Sequence, residues 1–84
     1  MYVNIGGEIV KKREIVGLFD PDSATVSAKT RETLKKAEDR GRLRLLTEDI
    51  PRSLVIEQRE GEDQTLYFSP VSLQTLAGRL KDTF

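Results

Sequence analysis

Residues 29–44 carry seven cations, Lys29, Arg31, Lys35, Lys36, Arg40, Arg42 and Arg44, against three acids, Glu32, Glu38 and Asp39, a local charge of +4. The next stretch reverses the sign. Residues 45–63 hold Arg52 and Arg59 against Glu48, Asp49, Glu57, Glu60, Glu62 and Asp63, a local charge of −4. At 100° per residue, Lys29, Lys36 and Arg40 fall within about 40° of one another on a helix, forming a basic ridge. Arg42 and Arg44 then share one face of the following strand, with Leu43 and Leu45 on the other, so five cations are expected to converge. That chemistry suits phosphate, because arginine offers oxygen atoms a planar fork and lysine a point charge. The competing reading is that these cations pair with neighbouring acids or dock the acidic segment of an adjacent subunit.

The other residues with chemical potential are fewer. Lys11, Lys12 and Arg13 form a second basic cluster, which either blunts a strand edge against aggregation or, through Arg13, joins a nucleic-acid surface. Asp20 and Asp22 flank Pro21 without further spaced ligands, so no metal site is expected. Gly6 and Gly7 lack the spacing of a phosphate-cradling loop and read as a turn. Tyr67 and Phe68 point to opposite faces of a strand; core packing is the simpler role, an exposed base-stacking platform the alternative. The chain has no His and no Cys. It therefore lacks the commonest general base, thiolate nucleophiles, disulfides and cysteine-ligated zinc, and no enzymatic activity, cofactor or small-molecule ligand is expected.

These side chains must be positioned by a small frame. The 84 residues balance 14 Lys and Arg against 14 Asp and Glu, which fits one domain spanning residues 1–84 with a thin core. Self-association is a natural supplement to such a core. Residues 2–5 and 8–10 read as strands split by a Gly-Gly hairpin turn, and residues 15–19 as a third strand closed by a turn at residues 20–23. Ser27 and Gly41 bracket a helix whose apolar stripe, Leu34 and Ala37, is weak. Residues 43–46 read as a strand. Residues 54–56 and 66–68 form a second hairpin around an acidic loop. Ser69 as cap and Pro70 at the first position begin a last helix with Leu73, Leu76, Ala77 and Leu80 at core spacing. The expected order is β-β-β-α-β-β-β-α, an antiparallel-sheet α+β module. The first apolar run is far too short for a secretory or membrane-spanning segment, so a cytoplasmic protein with no membrane partner is expected.

Several segments together resemble a known family. Ile5, Gly6, Gly7 and Glu8, then Arg31, Glu32, Leu34, Lys35, Lys36, Ala37 and Glu38 ahead of Gly41, then residues 51–56, and finally residues 67–72 with Thr75 and Leu76 are similar to the bacterial RemA/RemB extracellular-matrix regulators, most of all the RemB-like branch. The similarity spans nearly the whole chain and rests on order and spacing. It implies a LytTR-like fold, a homo-oligomer of ring-like form, and binding of double-stranded DNA to control biofilm genes. In the RemA branch DNA contacts rely on one arginine ahead of an early strand, matched here by Arg13, and on an adjacent pair after the mid-chain turn. Asp49, Ile50 and Pro51 stand where that pair would lie, with Arg52 the nearby cation. The expected DNA contacts are Arg13, Lys29, Lys36, Arg40, Arg42, Arg44 and Arg52; the alternative function is an oligomerising module that acts through a protein partner.

Overall fold

The first hairpin forms where glycine permits it. The computed structural model describes residues 1–24 and 27–81. Strands β1 (Tyr2–Asn4) and β2 (Ile9–Lys11) pair antiparallel, Val3 opposite Val10. The turn between them needs positive φ at both Gly6 and Gly7, 120° and 103°, and Asn4 Oδ1 accepts both of their N–H groups at 2.9 Å. Alternation sends Val3 and Val10 into the core and leaves Tyr2 and Ile9 outside.

A single 3-10 turn, Lys12–Glu14, leads into β3 (Ile15–Phe19). The turn expected at residues 20–23 is instead a short helix, α1 (Pro21–Ala24). Asp20 Oδ1 accepts the Asp22 N–H at 2.9 Å, and Pro21 occupies a first helical position where its missing N–H costs nothing. Helix α2 (Ala28–Asp39) starts at Ser27, whose side chain accepts the Thr30 N–H at 3.5 Å. It ends with Arg42 N–H on Ala37 O at 2.7 Å and Gly41 N–H on Glu38 O at 3.1 Å. That paired closure requires Gly41 in the left-handed region, at φ 67°.

Strands β4 (Leu43–Leu45), β5 (Ser53–Glu57) and β6 (Thr65–Ser69) complete a four-stranded sheet in the order β3-β5-β6-β4. Among the described residues the fold is a small α+β domain with this sheet, the two-stranded ribbon and three helices. The larger sheet is mixed rather than antiparallel. β3, β5 and β6 pair antiparallel, but β4 runs parallel to β6 with Leu43 opposite Leu66. Residues 46–52 carry the chain past one strand position, and the β5–β6 hairpin then inserts β6 into the gap, which fixes its direction relative to β4.

Helix α3 (Leu73–Lys81) begins later than its sequence suggests. Ser69 stays in β6 because its hydroxyl donates to Ile5 O and accepts the Val71 N–H at 3.0 Å. Ser72 is the cap, accepting the Thr75 N–H at 3.2 Å. The sheet is covered on both faces. Leu34 and Ala37 of α2 pack on Leu43, Leu54, Ile56, Leu66 and Phe68. The ribbon and α3 cover the other face, where Val3, Ile5, Val10 and Leu76 meet Val55 and Tyr67. β5 is buried along its whole length. Among the described residues no helix is long and apolar enough to cross a membrane.

Candidate nucleic-acid interface

The sheet separates Arg44 from the other cations that the sequence brings together. Arg44 stands opposite Tyr67, on the face away from α2, whereas Leu43 and Leu45 stand opposite Leu66 and Phe68 on the α2 face. Arg44 thus belongs to a different surface from the ridge on α2, whereas Arg42 turns to the same Asp63 that Arg40 meets. Lys29 and Lys36 are exposed on α2 and Arg40 at its C-terminal cap, with Lys36 and Arg40 beside a hollow that Glu62 and Asp63 also line.

Arg40 and Arg42 are engaged within the chain. The Nη1 of Arg40 lies 2.9 Å from Asp63 Oδ1. Arg42 Nη2 donates to Asp63 O at 2.8 Å and stands 3.5 Å from Glu62 Oε1. The acidic loop is shaped to receive them: Gln58 Nε2 donates to Glu62 O at 2.6 Å and the Glu62 N–H to Arg59 O at 3.1 Å. The chain's own acidic segment therefore folds back on part of its basic one. Arg42 Nε is buried and makes no hydrogen bond, so this guanidinium is held by its two Nη2 contacts, one of them to a backbone carbonyl.

Arg13, Lys29, Lys36, Arg44 and Arg52 engage no carboxylate among the described residues. Arg44 donates one Nη1 hydrogen to Gly41 O at 2.6 Å and is otherwise exposed. Arg13 sits on the 3-10 turn before β3, exposed beside Lys11 and Lys12. Arg52 lies just ahead of β5, its N–H on Ser69 O at 2.9 Å and its side chain exposed. Because Ile15 is opposite Glu57 and Phe19 opposite Leu54, Arg13 and Arg52 fall at opposite ends of the sheet.

Two features escaped the sequence reading. Glu57 is only 2% exposed, on the sheet face that packs against the ribbon and α3. Its Oε1 accepts the Tyr67 hydroxyl at 3.0 Å and its Oε2 the Arg59 Nε–H at 3.3 Å. Burial, then the hydrogen bond to Glu57, then the Glu57 charge push the Tyr67 phenol up to about 12, and the same carboxylate raises Arg59. A glutamate that directly continues the apolar run Leu54, Val55, Ile56 is the signal that was available. Tyr67 is thereby a core residue, and Phe68 is half-buried against Leu54 and Leu66, so neither is an open stacking platform. The second feature is apolar: Leu45 and Ile50 stand 70% and 88% exposed. α2 covers Leu43 but not the far end of the edge strand. Comparison of the chain with protein-family models and with curated proteins finds no match.

Proposed function

We propose that the chain is a small self-associating, DNA-binding transcriptional regulator of the RemA/RemB type, acting in a bacterial cytoplasm on extracellular-matrix genes. The observation that supports it most is the set of exposed cations without carboxylate partners, Arg13, Lys29, Lys36, Arg44 and Arg52. Each is open to a phosphate oxygen at no cost of breaking an internal pair. Arg40 and Arg42 leave the contact set in this reading, because a phosphate would have to displace Asp63 and Glu62. The resemblance described above supplies the LytTR-like assignment and the ring-like assembly. Contacts of this kind position a protein on DNA without reading bases, so affinity is expected to vary little with duplex sequence.

The exposed apolar side chains Leu45 and Ile50 favour a second reading, an oligomerising module that works through a protein partner. One titration separates the two. Electrophoretic mobility of a duplex is followed at several salt concentrations with the wild-type chain and with Arg13→Glu, Arg44→Glu and Arg52→Glu. DNA binding predicts retardation at low salt, and a log affinity against log salt slope that flattens by about 0.9 for each phosphate contact removed. Absence of retardation by the wild-type chain at low salt would refute the DNA reading and leave the protein-partner one.

A further inference from the structure

The loop between β4 and β5 is an acidic, apolar projection. Glu48, Asp49 and Ile50 are all exposed there, Ile50 at 88%. At the opposite edge and opposite end of the sheet lies a hollow of about 530 Å³, walled by Met1, Tyr2 and Ile15 and rimmed by Lys11, Lys12 and Arg13, with no acid in its lining. The diagonal placement follows from the register. Leu45, just ahead of the projection, lies opposite Phe68 on edge strand β4, while Ile15 opens the other edge strand, β3, opposite Glu57. One chain therefore cannot bring its own projection to its own hollow.

We infer that the hollow receives the Glu48-Asp49-Ile50 projection of a second copy, Ile50 entering between Tyr2 and Ile15 while the two carboxylates meet Lys11 and Lys12 of the basic rim. This rests on the self-association proposed above and specifies its contact. Charge and polarity both match: an isoleucine flanked by two acids meets an apolar floor flanked by three bases. The alternative route, strand addition along the sheet edges, is poorly served. β4 is three residues long, and β3 carries a register shift between Ile15 and Gly17 that leaves Val16 outside the ladder. Because projection and hollow are different surfaces, the contact is head-to-tail, and an open assembly keeps one of each free, at its two ends, until a ring closes.

Complementary charge reversals test this. Variant one is Glu48→Lys with Asp49→Lys; variant two is Lys11→Glu with Lys12→Glu. Each alone presents like charges on both surfaces and is expected to lose assembly and sediment as the 9.5 kDa chain, with its circular dichroism unchanged because the altered side chains lie at the surface. An equimolar mixture restores opposite charges wherever the two variants alternate and is expected to reassemble. Ile50→Asp provides a second disruption that leaves the basic rim intact. If wild type assembles and both variants assemble equally well alone, or if both dissociate and the mixture does not recover, the inference is overturned while self-association stands. A wild-type chain that stays monomeric overturns self-association itself.

Discussion

Removal of the Tyr67 hydroxyl should change not only how stable the protein is but how its stability responds to alkali. The phenol is buried and donates to Glu57 at 3.0 Å, and its pKa stands raised from 10.0 to about 12. Below pH 10 the phenol is protonated in both the folded and unfolded chain, and its ionisation contributes nothing. Between pH 10 and about 12 the unfolded chain releases the proton while the folded chain retains it, so stability falls as pH rises. One pKa unit corresponds to about 1.36 kcal/mol, which makes the whole loss on the order of 2–3 kcal/mol. For a domain of this size that is a large share of a total of roughly 5–15 kcal/mol.

The assay is urea unfolding followed by circular dichroism, with wild type and Tyr67→Phe measured side by side from neutral pH upward. At neutral pH the variant should be weaker by about 1.5–3 kcal/mol, the worth of a hydrogen bond to a charged group, since Glu57 would keep only Arg59. Above pH 10 the two curves should converge, because only wild type has the phenol to lose. Near-ultraviolet absorbance of tyrosinate in a Tyr2→Phe background reports the same group directly. Parallel stability curves, or a Tyr67 midpoint near 10 while the protein is still folded, would refute the reasoning.

Two further outcomes follow from packing. Leu76 is 1% exposed in the centre of the face that α3 lays on Val55 and Tyr67, so Leu76→Ala should cost about 2–5 kcal/mol in urea unfolding, and an unchanged midpoint would contradict the placement of α3. Gly6→Ala puts a Cβ 2.8 Å from Pro70 Cδ at a φ of 120°; it should destabilise by more than about 1 kcal/mol, whereas an effect no larger than that of an exposed helix substitution would show that the hairpin does not press against the end of β6.

What the sequence disclosed was local, and what it hid was not. The Gly-Gly turn, the Ser27 cap, the Gly41 closure and the leucine stripe of α3 each depend on residues within a few positions of one another, and each appears where such chemistry puts it. The parallel partner of β4 depends on β6, more than twenty residues later, and no local pattern encodes that insertion. The same holds for charge. Composition showed a basic block followed by an acidic one, but the block boundary at residues 44 and 45 has no structural meaning. Glu62 and Asp63 return to Arg40 and Arg42, and Glu57 turns inward to Tyr67. Half of the six acids in residues 45–63 are thus bound within the chain, and of the rest Glu48 and Asp49 stand together on the β4–β5 loop.

That redistribution alters the geometry any DNA contact must satisfy. Within one chain Arg13 and Arg52 are separated by at least the length of β5, about 16 Å at roughly 3.3 Å per residue, and the covered sheet lies between them. They form no common surface there. In the head-to-tail contact, however, the projection that enters the hollow ends one residue before Pro51 and two before Arg52, and the rim that receives it includes Arg13. Arg52 of one copy and Arg13 of the next then border the same seam. On the proposed contact, two cations that a single fold keeps apart become neighbours once per contact around the assembly, where a polyanion laid along successive seams would meet them in register. On the DNA reading, phosphate binding is a property of the assembled chain, and a single copy, with a net charge of zero, offers a polyanion no such seam.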